Sequence, residues 1–462
     1  MRGTSGKRVA SGATPTDFSP RLRRGVALPS DTAWCANRTP GRSPGLYESF
    51  TTDAQPDMAN FDDYAWLTSD AAALTALREL AADTRSELQQ LNDLRKTFTP
   101  ERARLIVEQV ALRRRAVTKF GPNAAHMFFT QVQLEQATDR EIAAYKAARF
   151  QQGGANRSVQ DYCCGIGGDL VAFAARGPAV GWDLSPIARL LAEKNLEALG
   201  QRGTIREADV ASLTPAGDDR WHVDPDRRAD GRRSTTLEHH SPGPDVIDRW
   251  RSCAPAGAVK LAPASDPPAE WQNEGELQWI TNQRECRQLV VWFGQLATAP
   301  GQRRATLLIP GQSGDNLLSS PASFTGAPDE PFSSTDEPGR YLFDPDPSLI
   351  ASRLLGAIAR HYDLRSLGAG GVYLTGDSPL ADPLLAEFEV QESMPLRTAA
   401  VAQWLAAGRV GRVEVKKRGV AIDPEKFRRE LKLRGDNEAT VILTRAGKRQ
   451  LAIMATRLQS AR

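Results

Sequence analysis

The stretch "RSVQDYCCGIGGDLVAFAARG", residues 157–177, limits the possible folds more than any other part of this chain. It reads as a strand, a tight turn holding three glycines, and a helix. Gly165, Gly167 and Gly168 lack a Cβ, so the backbone there can turn sharply and come close to a ligand. A strand that feeds a helix in this way belongs to a parallel sheet, and such sheets bind ligands beyond the carboxyl ends of their strands. Strand and helix patterns alternate from Ser158 to about Pro310, which extends the unit into a doubly wound α/β domain. The adjacent Cys163 and Cys164 raise the alternative of a metal or redox site. The five cysteines of the chain contain no C-x-x-C pair and no finger-like spacing, so no structural metal is expected and a reducing, cytoplasmic setting is. One thiol of the pair is expected to pack inward and the other to line the ligand loop.

Acidic residues stand where such a loop needs them. Asp161 precedes Gly165 by four positions and can hold loop N–H groups or accept from a cationic ligand. "AVGWDLSP" reads as a second strand ending at Asp183 and Leu184, and a carboxylate there can accept both hydroxyls of a ribose. "TIREADV" gives a third strand ending near Asp209, placed to meet an adenine edge. The spacing D-x-x-x-G-x-G-G differs from the G-x-G-x-x-G of a dinucleotide pyrophosphate loop.

Around this core the chain divides by pattern. Residues 1–57 have no apolar periodicity and read as disordered or as a mis-assigned start. Residues 58–150 are helical, with Leu74, Leu77, Leu80, Leu88 and Leu91 at helical spacing, Thr99 and Pro100 opening one helix and Thr138 capping another. The α/β domain is expected over 151–400, with a flexible Ser/Pro/Asp-rich insertion near 311–339. A compact basic unit closes the chain over 401–462, with a helix after Asp423 and a hairpin across Ala446–Lys448. From Arg409 onward there are 15 Lys/Arg against 6 Asp/Glu, a surplus of nine in a chain whose net charge is +3, so the remainder carries −6. That asymmetry points to a tail that meets a polyanion. No apolar run approaches the ~18 residues of a spanning helix, and no membrane partner is expected.

Together the Asp161–Gly168 loop, Asp183 and Asp209 resemble the cofactor motifs of class I S-adenosylmethionine-dependent methyltransferases. The resemblance extends over most of the chain from about residue 60. "LRKTFTPERARLIVEQVALRRRAVTKF", "MFFTQVQLEQAT", "HVDPDRRADGRR", "VKLAPASD" and "ELQWITNQRECRQLVVWFG" occur in the order found in bacterial methyltransferase-like proteins that end in a THUMP-like domain. The tail from Val413 to Arg457 is similar to that domain. The resemblance implies a Rossmann-like class I core, S-adenosylmethionine as cofactor, and a small basic α+β THUMP-like domain that suggests RNA by analogy. On it, Asp161, Cys163, Gly165, Gly167, Gly168, Asp183, Leu184 and Asp209 would hold the cofactor.

The residues after the fourth strand face the transferred methyl in such a fold, and here they read "HVDPDRR". Asp224 and Pro225 match the start of the Asn/Asp-Pro-Pro-aromatic sequence of enzymes that methylate exocyclic amines. Asp226 and Arg227 replace its second proline and aromatic ring. Asp224 either orients an acceptor, acts as a base, or caps the following turn. No cysteine stands in this strand to serve as a carbon-five nucleophile. Arg227, Arg228, Arg232 and Arg233 either hold a phosphate backbone or form a solvated loop. Lys119, Thr130 and Gln136 either reach over the pocket or serve as caps and surface residues. In the tail, Arg412, Lys416, Lys417, Arg418, Arg428, Arg429, Lys432 and Arg434 are candidates for phosphate contacts. The expected activity is methyl transfer to structured RNA, tRNA or rRNA. The alternatives are a small-molecule or protein acceptor, and an RNA-binding protein that has lost transfer.

Overall fold

A computed structural model describes residues 60–152, 157–226, 236–309, 311 and 321–458. The expectation for residues 1–57, and those for Arg227, Arg228, Arg232 and Arg233, lie outside them. The described chain opens with six helices: α1 (Phe61–Ser69), α2 (Ala71–Ala81), α3 (Glu87–Leu94), α4 (Pro100–Phe120), α5 (Gln131–Gln136) and α6 (Arg140–Phe150). Thr99 caps α4 as its sequence suggests, with Pro100 in the first turn. The leucine pattern from Leu74 to Leu91 is not continuous. Ser86 and Gln89 form a capping box that starts α3 as a separate helix, and Leu88 ends up exposed. Leu77, Ile106, Val110, Phe120 and Phe129 share one core with Ile166 of the glycine loop, so the helical segment packs directly on the loop it precedes.

The first sheet comprises β1 (Val159–Tyr162), β2 (Ala179–Asp183), β3 (Thr204–Glu207), β4 (Arg220–Val223), β5 (Gly257–Leu261), β6 (Glu276–Asn282), β7 (Glu285–Trp292), β8 (Arg303–Leu307) and β9 (Ala322–Gly326). Helix α7 (Leu170–Ala174) follows β1 and α8 (Pro186–Ala198) follows β2. The strand order is β3-β2-β1-β4-β5-β7-β6-β8-β9. The first five strands are parallel, and β7 runs against both β5 and β6. Successive residues point to opposite faces. Val259 and Val291 enter a core with Trp250 and Trp271, while Ala258 and Val290 enter another with Phe150 and Phe173. Both faces are therefore covered, as a doubly wound sheet requires. The strand order reverses between β1 and β4, which opens a crevice at their carboxyl ends.

Strand β9 lies inside the stretch expected to be a flexible insertion. Its backbone pairs antiparallel with β8, which satisfies an edge that would otherwise be bare. A second sheet holds β10 (Ser334–Thr335), β11 (Tyr341–Pro345), β12 (Arg365–Leu367), β13 (Leu374–Gly376), β14 (Leu385–Pro395), β15 (Val410–Lys417), β16 (Asn437–Ala446) and β17 (Arg449–Arg457). Their order is β10-β12-β13-β11-β14-β17-β16-β15. The expected hairpin is β16–β17, turning at Gly447 in the left-handed region. Strand β14 pairs with β17, so the closing unit begins before residue 401. Among the described residues no helix is long and apolar enough to cross a membrane.

Candidate functional site

A cavity of about 550 Å³ opens at the carboxyl ends of β1, β2, β3 and β4. It is lined by Asp161, Cys163, Gly165 and Gly168 of the first turn, Asp183 and Leu184 after β2, Asp209 after β3, and Asp224 and Pro225 after β4. Gln133 and Gln136 of α5 close it from the helical side.

The glycine loop and the end of β2 are tied together by Asp183. Its Oδ2 accepts from Gly165 N–H at 2.9 Å and its Oδ1 from Ser185 N–H at 2.9 Å. Each carboxylate oxygen has two lone pairs, so one on each remains for a ligand. Burial pushes the Asp183 carboxyl up, and the two backbone N–H groups pull it back. Gly165 has φ +54°, and a Cβ there would meet no protein atom within 4 Å. Any side chain at Gly165 would instead stand in the cavity. Gly167, at φ +84°, does not line the cavity. A Cβ there would lie 3.6 Å from Ala192, so this glycine serves the turn and its packing on α8.

Cys163 itself adopts φ 59° and, like Cys164, lines the cavity. Burial raises both thiols well above their ordinary value, so neither is a thiolate at neutral pH. Asp209 accepts from Ala211 N–H at 3.0 Å and fixes the short turn after β3.

Among the described residues Asp224 caps no turn and pairs instead with a lysine. Its Oδ2 lies 2.5 Å from the ammonium of Lys260 on β5, and that ammonium also donates to the Gln136 carbonyl at 3.0 Å. The pair ties the β4 side of the cavity to the end of α5.

Beneath the cavity lies a charged cluster that sequence reasoning did not assemble. Lys146 of α6 sits 2.7 Å from Asp169 Oδ1 and 3.0 Å from His222 Nε2. His222 Nδ1 lies 2.7 Å from Asp161 Oδ1. The Thr138 hydroxyl donates to Asp169 Oδ2 at 2.6 Å, while Asp139 takes the N-cap position expected for Thr138. All four charged or ionisable side chains are buried, and Asp161, Asp169 and His222 reach the cavity wall. Burial opposes ionisation of Asp169, but the Lys146 ammonium and its cationic neighbours outweigh it and hold the carboxyl far below its usual range. Burial pushes Asp161 up, and His222 offsets part of that rise. A signal was present in the sequence. Lys146 stands on the apolar face of α6 with Ile142, Ala143 and Phe150, and His222 interrupts a strand that is otherwise set for burial.

Several nominated residues lie elsewhere. Lys119 donates to the carbonyls of Leu134, Glu135 and Ala137 at 2.8–2.9 Å, capping the end of α5 rather than touching the cavity. Thr130 caps the start of the same helix. Lys416 and Arg418 share Asp344, at 2.8 and 2.9 Å, and Lys417 donates to the Ile422 carbonyl at 2.5 Å. All three cations are half-buried; Lys416 and Arg418 are neutralised by Asp344 of β11, while Lys417 is held by a loop carbonyl. Arg412, Arg428, Arg429, Lys432 and Arg434 are exposed.

A family described as THUMP domain-like matches residues 385–457, and a domain of unknown function matches residues 60–116. Proteins of two Mycobacterium tuberculosis strains, each described as an uncharacterized S-adenosylmethionine-dependent methyltransferase, are 36% identical over 361 residues. The match covers 75% of this chain and 94% of theirs. A Porphyromonas gingivalis crystal structure assigned as a methyltransferase superposes with a TM-score of 0.66 at 20% identity, over 84% of this chain and 99% of that one. That likeness is one of fold.

Proposed function

The chain belongs to the S-adenosylmethionine-dependent methyltransferase family of its Mycobacterium tuberculosis relatives, and from that premise we propose that the cavity above β1, β2 and β4 holds the cofactor and delivers its methyl group to structured RNA, tRNA or rRNA. The observation that carries the cofactor assignment is Gly165. Its N–H fixes Asp183, and its missing side chain leaves open part of the cavity that Asp161 and Asp183 also line. Asp183 would accept the ribose hydroxyls. Leu184 and Asp209 would flank the adenine, and Asp161 would face the cationic amino-acid end. Cys163 and Gly168 would complete the wall.

S-adenosylmethionine supplies a methyl group on a sulfonium, which is displaced in line by the acceptor. The chain's own task is to align that acceptor. Asp224 and Pro225, following β4, face it together with Gln133 and Gln136. The Lys260 bridge keeps Asp224 and α5 at a fixed separation, so the acceptor wall is preorganised.

The RNA assignment is supported by the THUMP-like match and by the basic surplus of the tail. The exposed Arg429, Lys432 and Arg434 suit phosphate contacts better than Lys416 and Arg418, whose charges are paired with Asp344, and the exposed Arg412 and Arg428 pair with Glu438 and Glu425 at the surface. That internal pairing is also what favours the second reading, a small-molecule or protein acceptor with the tail serving assembly.

Calorimetric titration with S-adenosylmethionine and S-adenosylhomocysteine tests the first half of the proposal. Wild type binds, and Asp183→Ala binds at least about tenfold more weakly, as expected for a lost charge-assisted hydrogen bond. Label transfer into tRNA and rRNA fractions tests the second half. Transfer to protein or small-molecule fractions alone would overturn the RNA assignment.

A further inference from the structure

Asp161 and His222 are paired in register on β1 and β4, so their side chains leave the same face of the sheet and meet. The Lys146 ammonium has three donors and no acceptor, so at 3.0 Å from His222 Nε2 it makes that nitrogen the acceptor. The proton of the neutral ring then sits on Nδ1 and is donated to Asp161 Oδ1. Asp169, itself held by the Thr138 hydroxyl, anchors Lys146 from the other side. The edges of Phe150 and Phe173 press against the imidazole and restrict its rotation. One atom of this chain of contacts is left over. Asp161 Oδ2 is buried and receives no hydrogen bond from the described residues, in a side chain that lines the cavity beside Gly165.

We propose that Lys146 is a positioning residue for cofactor capture: it fixes His222 in the Nδ1–H tautomer, and His222 in turn presents Asp161 with its free Oδ2 toward the α-ammonium group of the cofactor. This rests on the reading of the cavity as the S-adenosylmethionine site. Without Lys146, the bare Nε2 is left 3.9 Å from Asp169 Oδ2, so a second carboxylate competes with Asp161 for the ring proton. The ring can then turn a bare nitrogen toward the carboxylate, and Asp161 loses the donor that holds it. The helical segment thereby contributes to cofactor recognition through α6, although Lys146 itself does not reach the cavity.

Two measurements test the proposal. Nitrogen-15 NMR of the wild-type protein, with His222 identified by the signal lost in His222→Asn, is expected to find Nδ1 protonated and Nε2 bare. A proton on Nε2 would overturn the tautomer assignment without needing any Lys146 variant. Calorimetry then compares S-adenosylhomocysteine with its deaminated analogue. In wild type the analogue binds at least about tenfold more weakly. In Lys146→Met the amino-bearing ligand weakens by a similar factor and the analogue is unchanged. In the double variant with His222→Asn affinity recovers, because an asparagine amide donates to Asp161 without any tautomer to set. Equal weakening of both ligands in Lys146→Met, or of neither, would overturn the proposal. A wild type that binds the two ligands alike removes the proposal alone. A wild type that binds neither removes the cofactor reading beneath it as well.

Discussion

Beside each sheet of this molecule a lysine meets an aspartate, and the two pairs differ in their surroundings. Under the first sheet's crevice, Lys146 meets Asp169 at 2.7 Å with both side chains buried. In the second sheet, Lys416 meets Asp344 at 2.8 Å, and Arg418 takes the other oxygen at 2.9 Å. The first cluster continues through His222 to Asp161 and ends on an oxygen with no donor from the described residues, at a cavity wall. The second closes on itself beside the half-exposed stems of Lys416 and Arg418. The distances are nearly equal, so proximity alone does not distinguish the two clusters. Burial and an unspent acceptor do.

The difference has its largest consequence in stability. Asp169→Asn leaves Lys146 charged or forced neutral in a dry interior, and breaking a buried pair in this way costs about 3–5 kcal/mol. Asp344→Asn leaves two cations that can turn toward water, and such a loss costs about 1 kcal/mol or less. Urea denaturation of both variants reads the contrast directly. Equal losses would mean that the second cluster is as desolvated as the first, and the comparison would fail.

The sequence made the two regions unequally legible. The β1 turn, Asp183 and the crossing to α7 were visible because each is a local pattern of a few residues. So was the hairpin β16–β17. The Lys146–His222 contact joins positions 76 residues apart, and no spacing rule reaches across three intervening strands. Its only trace was a lysine on an apolar helix face and a histidine in a buried strand. Local signals also misled where two of them competed. The leucine period from 74 to 91 hid the capping box at Ser86, and the polar composition of 311–339 hid the pairing that turns 322–326 into an edge strand. The tail's charge count was correct, but it could not say which cations were already spent on Asp344.

Lys119 is an intermediate case, a half-buried cation that leans on three carbonyls instead of a carboxylate. Burial pushes its ammonium down to about 8, with Asp139 opposing the shift only in part. Its folded value therefore lies below the unfolded one. Between about 8 and about 10.4 the unfolded chain binds the extra proton, so stability from this group rises with pH across that window, by up to about 3 kcal/mol. Below pH 8 both states are protonated and the slope vanishes. Comparing denaturation of wild type and Lys119→Met from pH 7 to 10 isolates the contribution. A wild-type slope that survives the substitution would assign it to another group.

The smallest effects belong to the tail, and they separate charge count from charge position. If phosphates are met by exposed cations, Lys432→Ala with Arg434→Ala lowers the slope of log affinity for tRNA against log salt by about 1–2, since each phosphate contact contributes roughly one counterion. Lys416→Ala, by contrast, leaves RNA affinity within about twofold, because its ammonium already neutralises Asp344 and releases few counterions on binding. The measurement is tRNA binding at several salt concentrations for the three proteins. If Lys416→Ala changed the slope as much as the exposed pair does, Lys416 would have to leave Asp344 when RNA arrives. The second cluster would then be a reserve of charge opened by its ligand, and the contrast between the sheets would be one of accessibility rather than of purpose.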